Sequence, residues 1–177
     1  SFTAAVKTAV MPLFEDGVVP TRDLLAYALL VVALHTGRNT TPLLEMTPDC
    51  LRPHPKDDTV FLVVYKNRGY SSSKVAMRAE GEAQRAIEST PSVRPTVARL
   101  IRRVIEVVQP LRSEAPEAIK NSVWLFRSTS SSTLGEIVSL TVNTLRRATS
   151  ELIARYNLVD TDGRPLRINI SRLRKTF

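Results

Sequence analysis

Cysteine, histidine and long hydrophobic runs are scarce in this 177-residue chain, and each shortage excludes a class of protein. A single cysteine, Cys50, allows no internal disulfide and no cysteine-rich zinc site, which favours the reducing cytoplasm. The two histidines, His35 and His54, form no recognisable metal pair, so we expect no metal site. The longest apolar run, residues 24–34, is roughly half of what a membrane span requires, and we interpret it as a buried helix.

Positive charge is in clear excess. The formal net charge is +8, and arginine outnumbers lysine by 19 to 6. Because planar guanidinium groups pair bidentately with phosphate oxygens, this excess favours a polyanionic partner such as nucleic acid. The alternative is a basic surface that only confers solubility, since net charge reports on partners and not on fold.

The hydrophobic content of 43% is enough for one sizeable core, and we predict a single domain over residues 1–177. Residues 1–20 are predicted to be an irregular lead-in, or a short helix followed by a turn. We expect Cys50 to be a small packing residue and Trp124 to be a core aromatic. The Asp-, Gly- and Pro-containing segment 160–165 predicts a turn.

The spacing of apolar residues predicts a mainly α fold with a small antiparallel sheet, within the α+β class. A helix over residues 22–36, apolar nearly all round, follows the predicted N-cap Thr21 and ends at Gly37. An amphipathic helix is predicted over 93–108, with a basic outer side that faces either solvent or DNA. After a Ser- and Thr-rich loop, the longest helix is predicted over 134–156.

The small sheet is predicted within residues 50–79. Its middle strand, 59–65, is rich in β-branched and aromatic residues, which suits a strand buried on at least one face. Flanking strands are predicted at 50–52 and 74–79. The cluster of Asn, Arg and Gly over 67–69 is typical of a turn that closes a hairpin.

Three motifs follow one another along the chain. The first box is His-Thr-Gly over 35–37, continued by Arg-Asn-Thr-Thr-Pro-Leu-Leu-Glu-Met over 38–46. The second motif is the predicted hairpin with Lys66 at its turn. The second box is Ser-Arg-Leu-Arg-Lys-Thr-Phe over 171–177, preceded by Asp-Gly-Arg-Pro over 162–165. In this order, the motifs resemble those of tyrosine recombinases of the phage-integrase type: Thr-Gly-Leu-Arg before a Glu-Leu-Leu helix, a lysine hairpin, and His-x-Leu-Arg-His-Thr-Phe.

The resemblance implies a tyrosine-recombinase catalytic-domain fold and site-specific DNA recombination or integration. In that reaction a tyrosine hydroxyl attacks a phosphodiester and forms a 3′-phosphotyrosyl intermediate, with no metal and no cofactor. Two arginines hold the non-bridging oxygens, and a lysine protonates the leaving 5′-oxygen. Fixed cations suit this chemistry because the transition state concentrates negative charge on the phosphate oxygens. The implied partners are double-stranded DNA and further copies of the protein on that DNA, with no membrane and no small-molecule substrate.

When the catalytic residues of the family are matched to this sequence, the resemblance implies three catalytic cations. Arg174 matches the second arginine of the family, and Lys66 matches the hairpin lysine, with Lys74 across the turn as a competitor. Arg38 is the candidate for the first arginine. Further DNA contacts are expected from five residues of the hairpin and the second box: Arg68, Lys74, Ser171, Arg172 and Lys175.

Two positions depart from the family pattern. An ungapped alignment places Asn39, not Arg38, at the first arginine, and asparagine carries no charge for a phosphate clamp. Arg38 takes this role if the backbone around Gly37 adjusts, because a displacement of one residue at a helix start turns a side chain by about 100°. Ser171 stands at the family's histidine and cannot act as an acid or base near neutral pH. Lys175 stands at the second histidine of the box. Its charge either compensates for the histidine missing at Ser171, or its side chain contacts a backbone phosphate or solvent.

The nucleophile of the family lies well after the second box, whereas the tyrosines of this chain all precede it: Tyr27, Tyr65, Tyr70 and Tyr156. The abrupt ends at Ser1 and Phe177 indicate a fragment, and we expect this fragment to be unable to cleave DNA by the family mechanism. Two alternatives stay open. One is a non-catalytic DNA-binding module derived from the same fold, and the other is an unrelated helical interaction domain.

Overall fold

The computed structural model describes residues 1–56, 59–66, 86–89, 92–93 and 95–173. These residues form an α+β structure, as predicted. The α-helices are α1 (Phe2–Ala9), α2 (Arg22–Thr36), α3 (Thr40–Leu44), α4 (Pro95–Val108) and α5 (Val142–Arg155). The strands are β1 (Leu51–Pro53), β2 (Val60–Leu62), β3 (Val64–Lys66), β4 (Ala86–Ser89), β5 (Ser92–Val93), β6 (Leu125–Arg127) and β7 (Ile137–Ser139).

Helix α2 lies at the centre of the hydrophobic core, and its predicted bounds are confirmed. Every residue from Leu25 to Ala33 is buried, and α1, α3, α4 and α5 all pack against the helix. The Thr21 side chain accepts a hydrogen bond from the Leu24 N–H at 3.2 Å, and Gly37 ends the helix with a φ of 65°. Among the described residues, no helix combines the length and apolar character that crossing a bilayer requires.

Helix α1 belongs to the core. Phe2 and Val6 are buried, and the Ser1 side chain caps the helix by accepting from the Ala4 N–H at 3.3 Å. A 3-10 turn over Met11–Phe14 then buries Leu13. Of the two expectations for residues 1–20, the short helix is confirmed and the irregular lead-in is wrong, because the apolar spacing of this segment is satisfied by packing against α2.

The predicted middle strand over 59–65 is divided into β2 and β3, which belong to different sheets. β2 pairs antiparallel with β1 and β5, whereas β3 pairs antiparallel with β4. Val63 lies between them and donates its N–H to the Cys50 carbonyl oxygen at 2.7 Å. The prediction of one sheet is therefore wrong for the described strands, which form three small sheets. The predicted turn at 67–69 and strand at 74–79 lie outside the described residues.

The longest predicted helix begins later than expected. Residues Ile137–Ser139 form β7, antiparallel to β6, and α5 starts only at Val142. Thr141 sets this start through a capping box, in which it exchanges side-chain-to-backbone hydrogen bonds with Thr144 at 3.2 and 2.8 Å. The start predicted at residue 134 is wrong because pairing with β6, a non-local interaction, decides the conformation of this segment.

Helix α4 confirms the amphipathic helix predicted over 93–108, with Pro95 rather than Val93 as its first residue. Proline suits that position because its missing N–H would have no partner inside the helix. Val93 belongs to β5 instead. The buried stripe consists of Val97, Ala98, Leu100, Ile101, Val104 and Val108.

The two predicted packing residues are in the core. Cys50 and Trp124 are each 1% exposed. Burial, with a smaller contribution from Asp49, raises the pKa of the Cys50 thiol to about 12. Cys50 is therefore an un-ionised packing group at neutral pH, as predicted.

Candidate functional site

The first box lies at the junction between α2 and α3. Gly37 ends α2, Arg38 and Asn39 form the connection, and Thr40 is the first residue of α3. Asn39 holds the N-cap position with φ −65° and ψ 150°, and its exposed side chain makes no capping hydrogen bond. Arg38 and Asn39 both precede the helix, so the rotation of about 100° per helical residue does not apply between their side chains.

Arg38 is half-buried, and within the described residues its guanidinium has no acidic partner. Its backbone N–H donates to the Thr36 hydroxyl at 3.4 Å. Its Nε is buried and has no hydrogen-bond partner in the described part of the chain. A buried donor without an acceptor costs about 1–3 kcal/mol, so this position favours a hydrogen-bond acceptor beside Nε.

Thr40 joins the first box to the beginning of the second. Its buried hydroxyl donates to the Ile170 carbonyl oxygen at 3.2 Å, across 130 residues of sequence. Ile170 opens a 3-10 turn over Ile170–Arg172, and the side chains of Ile170 and Leu173 are buried. Helix α3 contacts this turn. The two boxes therefore meet at α3.

The second box is described only as far as Leu173. Ser171 is exposed, and its hydroxyl donates to Asn169 Oδ1 at 2.7 Å. The backbone of Arg172 forms part of the 3-10 turn. The predicted site residues Arg174 and Lys175 lie outside the described residues, so their roles stay predictions.

The predicted lysine hairpin is described as far as Lys66. Lys66 is the last residue of β3, and its backbone pairs with Ala86 of β4, a strand that the sequence did not predict. Strand β3 contacts α3, so the segment that ends at Lys66 approaches the same short helix as the second box. Arg68 and Lys74 lie outside the described residues.

The other candidate groups have local partners. Tyr27 is buried in α2, and burial, with a smaller contribution from Asp23, raises the pKa of its hydroxyl. His35 Nδ1 lies 3.0 Å from the carbonyl oxygen one helical turn earlier, and His54 Nδ1 accepts from a backbone N–H at 2.9 Å. In the described part of the chain, no three His, Cys, Asp or Glu side chains are grouped to hold a metal ion.

The basic outer side of α4 is partly occupied by structural contacts. Arg103 donates to the carbonyl oxygens of Leu13 at 2.9 Å and Glu15 at 2.7 Å. The Arg99 guanidinium lies 5.4 Å from the centre of the Phe14 ring. The sequence analysis predicted that this side of the helix faces either solvent or DNA. Arg103 does neither, because its guanidinium fastens the connection between α1 and α2 to α4.

Sequence reasoning missed the exposed face of α5. Asn143, Arg146, Arg147 and Ser150 are all exposed at helical spacing, opposite the buried residues of the helix. Arg146 donates to Asn143 Oδ1 at 3.2 Å, and Arg147 has no acidic partner among the described residues. The polar residues that alternate with the buried apolar residues along α5 could have been used to predict this face from the sequence.

Comparison with known proteins gives no assignment, because no protein-family model, curated protein or solved structure matches this chain. The candidate site therefore depends on the three motifs and on their contacts with α3. Helix α3 follows the Arg38 connection, contacts the strand that ends at Lys66, and is hydrogen-bonded to the turn that begins the second box.

Proposed function

We propose that this chain is a DNA-binding domain of the tyrosine-recombinase type, which holds a phosphodiester for transesterification. The proposal is carried by the meeting of the three motifs at α3, where the Thr40 hydroxyl bonds to the Ile170 carbonyl oxygen. Segments that carry cations and are distant in sequence but adjacent in space are what a shared phosphate site requires.

The family mechanism gives each cation a task. In this proposal Arg38 and Arg174 hold the non-bridging oxygens while a tyrosine oxygen bonds to phosphorus. The bond from phosphorus to the 5′-oxygen breaks, and Lys66 protonates that oxygen as it leaves. The bond energy is retained in the phosphotyrosyl link, so attack by a 5′-hydroxyl of another strand reverses the step. Tyr27 does not fit the nucleophile, because it is buried in α2.

The surface charge supports DNA as the partner. The net charge is +8, and Arg146 and Arg147 lie on the exposed face of α5. Phosphate contacts by such side chains supply most of the sequence-independent affinity for DNA, because they release condensed counterions. The half-buried Arg38 differs from these exposed arginines, since its buried Nε has no hydrogen-bond partner among the described residues.

A non-catalytic DNA-binding module of the same fold is the second candidate, and the Ser171 contact favours it. The Ser171 hydroxyl donates its hydrogen bond to Asn169 Oδ1. Asn39 presents an uncharged side chain at the position of the family's first arginine. Neither residue supplies the charge or the proton that the family residue supplies. A module of this kind keeps the DNA contacts and lacks the transesterification.

Binding to a fluorescent DNA duplex at several salt concentrations tests the part that both candidates share. We expect log Kobs to fall linearly with log salt, by about 0.9 for each phosphate contacted. Arg38→Ala should weaken binding and reduce this slope by about 1. The matched control is Arg127→Ala, which removes the same charge from an arginine that pairs with Glu114 at 2.7 Å, and it should keep the slope. Absence of binding to any duplex at low salt would contradict the proposal and favour a protein-interaction domain.

Suicide-substrate trapping separates the two candidates when it is carried out with a protein that includes residues after the second box, because the four tyrosines of this chain all precede that box. Duplex sites are first enriched by selection for binding and are then nicked close to the expected cleavage position. After cleavage a short fragment diffuses away, so that a covalent intermediate accumulates. A DNA adduct that survives denaturant supports the recombinase, whereas tight binding without an adduct supports the non-catalytic module.

A further inference from the structure

Thr40 differs from the other polar side chains that are buried within the described residues. The Thr149 hydroxyl donates to the Leu145 carbonyl oxygen at 2.8 Å, inside α5. The Ser128 hydroxyl bonds to Thr133 at 2.6 Å, inside one loop. Thr40 instead donates to a carbonyl oxygen that is 130 residues away. Its hydroxyl therefore connects separate parts of the fold.

The bond joins a residue inside the first box to the residue that precedes the second box. Thr40 directly follows the Arg38 and Asn39 connection, and Ile170 directly precedes Ser171. The side chains of Ile170 and Leu173 hold the turn in the core, but apolar contacts are non-directional. The hydrogen bond is directional, so it sets the distance and orientation between the turn and α3.

We propose that Thr40 is a positioning residue, which holds the start of the second box against α3, the helix that follows Arg38 and Asn39, so that cations from both boxes reach one phosphate. Its effect on DNA rests on the proposed function, whereas its effect on the turn rests only on the bond between Thr40 and Ile170. Small displacements between groups that act on one reacting centre are costly, because the binding geometry has to be set in advance.

The test compares two buried threonines in the whole chain. Thr40→Val keeps the approximate side-chain volume, removes the donor and leaves the Ile170 carbonyl oxygen without this bond. Thr149→Val is the matched control, because it makes the same change at a hydroxyl that bonds within its own helix. Thr40→Ser restores a hydroxyl donor. Hydrogen–deuterium exchange of peptides covering residues 166–173 and affinity for the fluorescent duplex are measured for all three variants.

We expect Thr40→Val to raise exchange across residues 166–173 and to weaken duplex binding about threefold to tenfold, the equivalent of one net hydrogen bond. Thr149→Val should change neither quantity, and Thr40→Ser should restore both. If the valine variant does not fold, Thr40→Cys offers a weaker donor and should give intermediate values.

The outcomes distinguish the two proposals. Exchange across 166–173 that stays the same in Thr40→Val and Thr40→Cys overturns the positioning role, whatever the affinity for DNA. Raised exchange with unchanged affinity also overturns it, because the turn then moves without affecting the site. If the unsubstituted chain binds no duplex while Thr40→Val raises the exchange, the DNA-binding proposal fails and the structural part of the inference is supported.

Discussion

The indole Nε1 of Trp124 donates to the carbonyl oxygen of Leu43 at 2.7 Å, and this bond fastens α3 to the segment that leads into β6. A second bond lies beside it, from the Val123 N–H to the Met46 carbonyl oxygen at 3.1 Å. Because α3 belongs to the first box and contacts the strand that ends at Lys66 and the turn that begins the second box, these two bonds also support the candidate site.

Replacing Trp124 with phenylalanine tests this support. Trp124→Phe should lower the free energy of unfolding by about 2–3 kcal/mol, because it removes the indole bond to the Leu43 carbonyl oxygen, which keeps its bond from the Met46 N–H, and creates a small cavity. Urea unfolding measures the change. Phe126→Leu, a size reduction at a buried residue of β6, is the control, and it should cost no more than about 1.5 kcal/mol. Equal costs for the two variants would show that the hydrogen bond adds nothing to packing.

Adjacent arginines on α4 should respond differently to the same substitution. Arg103→Lys should lower the free energy of unfolding by about 1–3 kcal/mol, because one ammonium group cannot reproduce the forked bonds to Leu13 and Glu15. Arg102 is exposed, so Arg102→Lys should stay within about 0.5 kcal/mol of the unsubstituted chain. Thermal or urea unfolding measures the stability of both variants. Similar losses of stability would argue against a structural role for the Arg103 hydrogen bonds to Leu13 and Glu15.

Local signals were sufficient to predict α2. Thr21 and Gly37 mark its ends through cap chemistry that involves only nearby residues, and the apolar run between them has the length of a buried helix. The segment 137–139 has no such local signal. Its apolar residues fit the stripe of a helix as well as a strand, and the partner that decides between them is β6. The division of 59–65 between two sheets is equally non-local.

The candidate site shows the same limit. Sequence reasoning could nominate Arg38 and Ser171 because each lies in a motif with an order and a spacing. It could not predict that Thr40 bonds to Ile170, since a hydroxyl and a carbonyl group that are 130 residues apart leave no pattern in one sequence. The clamp made by Arg103 was missed for the same reason, because its acceptors are backbone oxygens of another segment.

The buried Cys50 thiol should make stability fall at alkaline pH. Its pKa is raised to about 12 in the folded chain, whereas the unfolded thiol ionises near pH 9. Between these values the unfolded state has lost a proton that the folded state keeps, so stability decreases by about 1 kcal/mol per pH unit. Well below pH 9 both the folded and the unfolded state keep the thiol proton, so the full stability is present there. Urea unfolding at pH 8, 9 and 10 should show a steeper decrease for the unsubstituted chain than for Cys50→Ala.

Thiol labelling gives an independent check on Cys50. A neutral, buried thiol should react with iodoacetamide at pH 8 only after denaturation. Parallel pH slopes for the unsubstituted chain and Cys50→Ala, together with rapid labelling of the folded chain, would contradict the assignment of Cys50 as an inert packing residue. Tyr27, whose pKa is also raised, is present in both the unsubstituted chain and Cys50→Ala, so its ionisation in the unfolded state affects both slopes equally and cancels in the comparison.

Placing an imidazole at position 171 should make DNA binding depend on pH. Ser171 is exposed, so Ser171→His should fold and give up only the bond to Asn169. An exposed imidazole has a pKa of about 6.5 and carries positive charge at pH 5.5 but not at pH 8. Relative to the unsubstituted chain, we expect affinity for the duplex to rise about twofold to fivefold at pH 5.5 and to stay the same at pH 8. Fluorescence anisotropy at constant ionic strength measures both values. Ser113→His, which places the same group at another exposed serine, is the control, and an equal gain there would mean that only net charge matters.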